Sequence, residues 1–438
     1  MIIVVACLLL FGLICKLSFS SANLVFWGSF FLIPSGLMLF QVLGCNMLVG
    51  EIVILLFFCL LNHENVFSKS INKHGYFLFQ SCFVFIILML FSSTVPILSQ
   101  LKSYITEFLY FVVLIVLAQY IKKHKKIGPL FFRILLFALY ANLIWSTIFE
   151  LILGYNPTTE FVNSLNKSDV AMELLNESRG GFDFRIQSIF GHPLSFGQIL
   201  LFIIPVVIYS KSKYTSIILF VVFLFIILSG TRGAIFPATI LLFFYFCKKV
   251  NVKIVTFALS LFVILLCVST KVKKDITMQF DNMVTLFTFW DESKTNFSGS
   301  SISMRIEQLD AAFVEMDGNY LFGRGKGYRE YYQNMHHGNG HPKLLGYESL
   351  ILLLLVERGI IGFLFYLYCL YYISFSVLKM RHLDYFYILS FLMFVLSAVM
   401  TGIRQYYILM FGLNAIAYYS CKKKLIRNEP KLSNIIIK

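Results

Sequence analysis

The chain has 438 residues, of which 58% are hydrophobic, 17% aromatic and only 13% charged, and its mean hydropathy is +0.79. So much apolar surface is more than a soluble core could hide, which excludes a water-soluble enzyme and points to a polytopic membrane protein. The formal net charge of +15 lies in the connections between apolar runs, a distribution that argues for orientation in a bilayer and against nucleic-acid binding.

Runs long enough to cross a hydrocarbon layer occupy 2–20, 24–43, 76–98, 104–121, 129–153, 193–209, 214–229, 233–247, 254–270, 347–378, 385–401 and 405–420, with a shorter one near 47–61. They predict an all-α fold with 12 or 13 transmembrane helices. Basic residues cluster in alternate connections: Lys69 and Lys73, Lys122 to Lys126, Lys211 and Lys213, Lys248 to Lys253, Lys379 and Arg381, and the tail from Lys422 to Arg427. The positive-inside rule puts these in the cytoplasm together with the C-terminus. Residues 154–192, 230–232, 271–346 and 402–404 then face outward. The 271–346 loop balances nine basic against nine acidic residues, so no charge bias opposes its export.

The first run has neither a basic leader nor a small-residue cleavage site, and reads as a retained span. None of the nine cysteines falls in the two long outer loops, and no disulfide framework or CxxC metal pattern is expected. Neither an internal repeat nor a Pro- or Gly-rich linker divides the chain, so 1–438 reads as one membrane domain with the outer loops folded over its face.

A polar connection of about 75 residues is seldom kept in a compact fold unless it is functional or disordered. Just before one span lies Phe184-Arg185-Ile186-Gln187-Ser188-Ile189-Phe190-Gly191-His192-Pro193, and the tight turn of Leu228-Ser229-Gly230-Thr231-Arg232-Gly233-Ala234 joins two others. Arg185 and Arg232 are thereby expected at one depth. A guanidinium near hydrocarbon is costly unless it meets water or an anion, and its planar fork suits phosphate better than an ammonium does. Gly230 and Gly233 allow close backbone approach, and the opening amides of the next helix add positive potential. The plainer reading makes both arginines interfacial anchors; Arg404, in a similar outer turn, is read as an anchor.

Within the long loop, Ile302, Ile306, Leu309, Phe313 and Met316 recur at helical spacing and predict an amphipathic helix over 301–316 lying on the bundle, with Arg305 on its flank. The following Gly323-Arg324-Gly325-Lys326-Gly327 is a basic, Gly-rich turn able to admit phosphate, although glycines serve any sharp turn. His336, His337 and His341 lack the spacing of a committed metal site, and each reads first as a solvated loop histidine. His341 lies seven residues before Glu348, where the chain re-enters the membrane. Either could serve as a base, and Glu348 could instead complement the positive end of the next helix.

Four pieces in this order resemble the bacterial O-antigen polymerase and O-antigen ligase superfamily from about residue 130 onward. They are the Arg-x-x-Ser-x-Phe-Gly-His-Pro segment at 185–193, the Leu-Ser-Gly-Thr-Arg-Gly-Ala segment at 228–234, the Arg305 helix leading into 323–327, and Glu357-Arg358-Gly359-Ile360-Ile361-Gly362. The resemblance implies an inverting, metal-independent glycosyltransferase without cofactor in the bacterial inner membrane. It would use undecaprenyl-diphosphate-linked oligosaccharide as donor and acceptor, surrounded by membrane lipid, with a chain-length regulator protein as a further candidate partner. Arg185, Arg232, Arg305, Arg324 and His192 would hold the diphosphate or substrate, and Glu348 or His341 would supply the base. Ligases usually carry His-Asn where this chain has Glu348-Ser349, which favours a polymerase of O-antigen or capsule repeat units. A ligase acting on lipid A core and a non-enzymatic transporter of polysaccharide or lipid-linked oligosaccharide are the alternatives. A transporter would place its charges at the bilayer midplane.

Overall fold

The computed structural model describes residues 59, 73–123, 127–157, 185–190, 193–247, 302–336, 349–378, 384–400 and 406–428. Among them every regular element is helical: α1 (Gly75–Phe91), α2 (Ile97–Lys123), α3 (Ile127–Trp145), α4 (Pro193–Ser210), α5 (Thr215–Leu228), α6 (Arg232–Cys247), α7 (Ile302–Met316), α8 (Tyr328–Met335), α9 (Leu350–Tyr371), α10 (Tyr385–Met400) and α11 (Tyr406–Asn428). The chain is an all-α polytopic membrane protein. Four stretches, Ile97–Lys123, Gly128–Ile152, Pro193–Ser210 and Leu350–Ser376, are long and apolar enough to cross a membrane, and four shorter apolar helices accompany them. The expected spans at 2–20, 24–43 and 254–270, and the run at 47–61 apart from Cys59, lie outside the described residues.

Long apolar sequences without Asp or Glu in their first turns build these helices, and aromatic side chains fill the space between them. Phe202 meets Phe394 and Tyr407 at ring separations of 4.3 and 5.4 Å, joining α4, α10 and α11. Pro205 and Pro237 sit inside α4 and α6, as membrane helices tolerate when neighbouring helices satisfy the freed carbonyl groups.

The helices run antiparallel between two distinct ends. At one end Gln119 meets His74 at 2.8 Å, His74 meets Tyr372 at 2.7 Å, and Tyr387 donates to the carbonyl of Ser374. Tyr418 there stacks on Tyr387 and accepts from the amide of Asp384. Lys122 and Lys123 close α2 here, and Lys211 and Lys213 lie in the connection between α4 and α5, just after Tyr209, whose ring meets Tyr418. Away from that end, residues 93–95 pair with Gly323 and Arg324, and the 185–190 segment pairs with the 228–230 turn.

Two elements depart from the simplest reading of the sequence. The apolar run at 347–378 enters as α9 with Ser349 as its cap, but the helix is broken at Gly359, whose φ of 62° and ψ of −168° are open essentially to glycine alone. The face of α7 that packs on α9 is also rotated from the expected stripe. Gln308, Ala311, Ala312 and Met316 are buried, whereas Leu309 and Phe313 are 41% and 49% exposed. Small side chains bring the two helices close, which the larger apolar residues would prevent.

Candidate functional site

The 185–190 segment is fastened from two directions. A π-helical turn over Ser146–Ile152 extends α3 and carries Glu150, which is 3% exposed. Its carboxylate accepts from the amides of Gln187 at 3.0 Å and Ser188 at 3.0 Å and from the side-chain amide of Asn156 at 2.7 Å. Asn156 also donates to the carbonyl of Ser188, and the Ser188 hydroxyl reaches Asn142. Such convergence holds Ser188 at a φ of 53°, which a non-glycine residue adopts only when its surroundings compel it.

From this anchored segment Arg185 reaches across to the turn between α5 and α6. Its Nε donates to the carbonyl of Ser229 at 2.9 Å and its Nη2 to the carbonyl of Gly230 at 3.2 Å. The turn closes through Gly230, with a φ of 61°, and Thr231 donates to the carbonyl of Pro193 at 3.0 Å. Arg232 is the first residue of α6. The two arginines expected at one depth therefore share one turn, both half-buried, beside the positive end of a helix. A concentration of positive charge at the rim of an apolar bundle is suited to holding a phosphate or diphosphate.

A second charged cluster was not foreseen from the sequence. Glu107 lies about ten residues into α2, roughly 15 Å from its start, and is buried together with Arg358 of α9. Arg358 clasps it through an end-on fork, Nη1 to Oε1 at 2.9 Å and Nη2 to Oε2 at 2.5 Å. Lys326 from the Gly-rich turn at 323–327 adds a contact to Oε2 at 2.5 Å and another to the carbonyl of Ser103 at 2.8 Å. Tyr104 presents its ring to both cations, with centroids 4.7 Å from Lys326 Nζ and 5.5 Å from Arg358 Cζ. Burial pulls the Lys326 ammonium below its ordinary value, against the attraction of Glu107 and with the repulsion of Arg358. The signal that could have found this cluster was a lone carboxylate inside one apolar run and a lone guanidinium inside another, each of which demands a partner.

The Gly-rich turn at 323–327 is built into this second cluster. The amides of Arg324 and Gly325 donate to the carbonyls of Val356 and Glu357, groups that the break at Gly359 leaves without helical partners, and Ile360 and Ile361 donate back to Tyr320 and Leu321. A Cβ at Gly323 would stand 2.6 Å from the amide nitrogens of Arg358 and Gly359, and one at Gly359 would stand 2.4 Å from the carbonyl of Leu321. Here the glycines serve contact between two backbones, and the amides of Arg324 and Gly325 are already bonded. The Nε of Arg324 donates to the carbonyl of Glu315. Tyr328 donates to the Glu315 carboxylate at 2.7 Å; burial first, and then that hydrogen bond, raise its hydroxyl above the ordinary tyrosine value.

Of the other sequence-predicted residues, Arg305 has its backbone in α7, while its side chain, His192, His341, Glu348 and Arg404 lie outside the described residues. His336 stacks on Tyr332 at 4.0 Å. Among the described residues no group of three His, Cys, Asp or Glu side chains is arranged to hold a metal ion.

A family model described as O-antigen ligase matches residues 217–367, from α5 through most of α9. Over those residues the chain is similar to the O-antigen ligase family, consistent with the O-antigen polymerase and ligase superfamily. No curated protein and no solved structure matches it. The matched region covers about a third of the chain and includes Arg232, the long loop, Glu348 and the break at Gly359, while Arg185 and Glu107 lie before it. Members of that superfamily are glycosyltransferase-like enzymes that act on lipid-linked glycans.

Proposed function

We propose that this protein is a polysaccharide polymerase. It transfers a growing glycan from undecaprenyl diphosphate to the non-reducing-end sugar of an incoming lipid-linked repeat unit, on the outer face of the inner membrane. The observation that carries this reading is the shared turn of Arg185 and Arg232 within a membrane bundle that the family model matches over residues 217–367. A diphosphate is already a good leaving group, so the chemistry needs fixed positive charge where its negative charge grows. It also needs a base for the acceptor hydroxyl. Glu348 fills the second role: it precedes the Ser349 cap of α9 and stands where a ligase usually carries His. His341 is the other candidate for that step. The anomeric carbon inverts as the acceptor oxygen displaces the lipid diphosphate in one step, with the arginines in place of a metal.

The ligase reading draws support from the name of the matching family, and the Glu348-Ser349 pair argues against it. Deleting the gene and resolving the surface glycan on a gel separates them. A polymerase deletion collapses the ladder to a single attached repeat, whereas a ligase deletion removes all attached repeats and lets lipid-linked polymer accumulate.

A further inference from the structure

Glu107 takes no part in the chemistry proposed above, yet its carboxylate joins three parts of the chain that are remote in sequence. Arg358 belongs to the first half of α9, which the break at Gly359 separates from the rest of that helix. Lys326 belongs to the Gly-rich turn at 323–327 and leads directly into α8. Both end on Oε2 of one carboxylate, on a helix more than 200 residues away in sequence. The surroundings leave these charges little alternative. Glu107 is 6% and Arg358 4% exposed, Tyr104 and Tyr366 wall the guanidinium, and Glu357 supplies further attraction for both cations. Removing one member of such a buried set leaves the others uncompensated in a medium that solvates them poorly.

We propose that Glu107 is a positioning residue for glycan transfer: through Lys326 and Arg358 it seats the 319–327 turn in the break of α9, within the region that the family model matches. The proposal rests on the polymerase reading for its kinetic consequence, but the seating can be measured without it. Glu107→Gln removes the charge and keeps the size, and Glu107→Asp keeps the charge on a shorter arm. The seating reporter is Ala312→Cys, at a site that is 2% exposed in α7 where this helix packs on α9. It is introduced into the full chain and labelled in permeabilised cells with an impermeant maleimide.

With Glu107 in place, the reporter thiol should be protected. In Glu107→Gln its labelling rate should rise at least ~10-fold, and kcat for polymerisation should fall by about 10- to 100-fold while KM for the lipid-linked donor moves less than about threefold, as misplacement of a reacting group does. Glu107→Asp should restore part of both. If Glu107→Gln does not accumulate in the membrane, Lys326→Met, which leaves the Arg358 fork in place, should give the same two changes in the same directions. A reporter thiol still protected in the tested variant would overturn the proposal, whatever the activity. Exposure of that thiol with unchanged kcat would overturn it too, because seating would then be irrelevant to turnover. If the protein instead proves to be a ligase, the labelling result stands unaltered, so failure of the seating and failure of the polymerase reading are told apart.

Discussion

Arg185 lays its guanidinium on the carbonyl oxygens of Ser229 and Gly230, at 2.9 and 3.2 Å, and so stands on the very turn from which Arg232 begins α6. A long side chain thereby ties the segment before α4 to the connection between α5 and α6. Glu150 holds the far side of the same segment through the amides of Gln187 and Ser188. Arg185 is thus held in place by backbone carbonyls and, through its segment, by a buried carboxylate, and in the proposed polymerase reading such preorganisation is the condition for electrostatic stabilisation of a departing diphosphate.

Replacing the pair tests that arrangement. Arg232→Lys keeps the charge without the fork and should lower polymerisation substantially; Arg232→Ala should lower it further, by roughly 10²–10³-fold, as loss of a charge-stabilising donor does. Arg185→Ala combined with Arg232→Ala should fall short of the product of the single effects, because the two share one ligand. Fully multiplicative effects in purified protein would mean that the arginines serve separate purposes.

For the base, Glu348→Gln keeps size and polarity but cannot accept a proton. Donor binding should survive while turnover drops about 10²–10⁴-fold. Normal polymerisation by Glu348→Gln together with an inactive His341→Ala would transfer the role to the histidine.

The backbone relationship at the break in α9 is open to a stability measurement. Gly359→Ala imposes a conformation that costs on the order of 1–3 kcal/mol for a residue with a side chain, and its methyl group would meet the Leu321 carbonyl. Melting in detergent should fall by several degrees, roughly 2–4 °C for each kcal/mol in a domain of a couple of hundred residues. An unchanged melting temperature would show that α9 runs through this point unbroken.

Much of this was legible in the sequence, and the remainder was hidden for physical reasons. Apolar runs gave the helical bundle, and the short Ser229–Arg232 connection gave a tight turn carrying one arginine at the depth of another. The partnership of Glu107 with Arg358 spans 251 residues, and no local periodicity encodes a contact at that separation. The glycines from 323 to 327 carried a signal for close approach, but sequence does not say whether phosphate or backbone makes the approach; the carbonyls freed by Gly359 decided it. On α7 the period of 3.6 was readable, whereas the packed face was chosen by how closely Ala311 and Ala312 let α9 come.

Orientation rests on the alternation of basic connections. Cysteine placed at Ser300 or Gly340 should react with an impermeant thiol reagent in cells with a permeabilised outer membrane, and cysteine at His124 should not. Labelling at 124 without labelling at 300 would invert the bundle and remove the lipid donor from the proposed face.

The most direct measurement supplies purified protein in a bilayer with undecaprenyl-diphosphate-linked repeat units and no other acceptor, in excess EDTA, and resolves the products by size. The expected result is a ladder of lipid-linked glycans growing by whole repeats, one lipid diphosphate released for each linkage made. The contrary result is no elongation from repeats alone, with transfer appearing only when lipid A core is added or only when a divalent ion is restored.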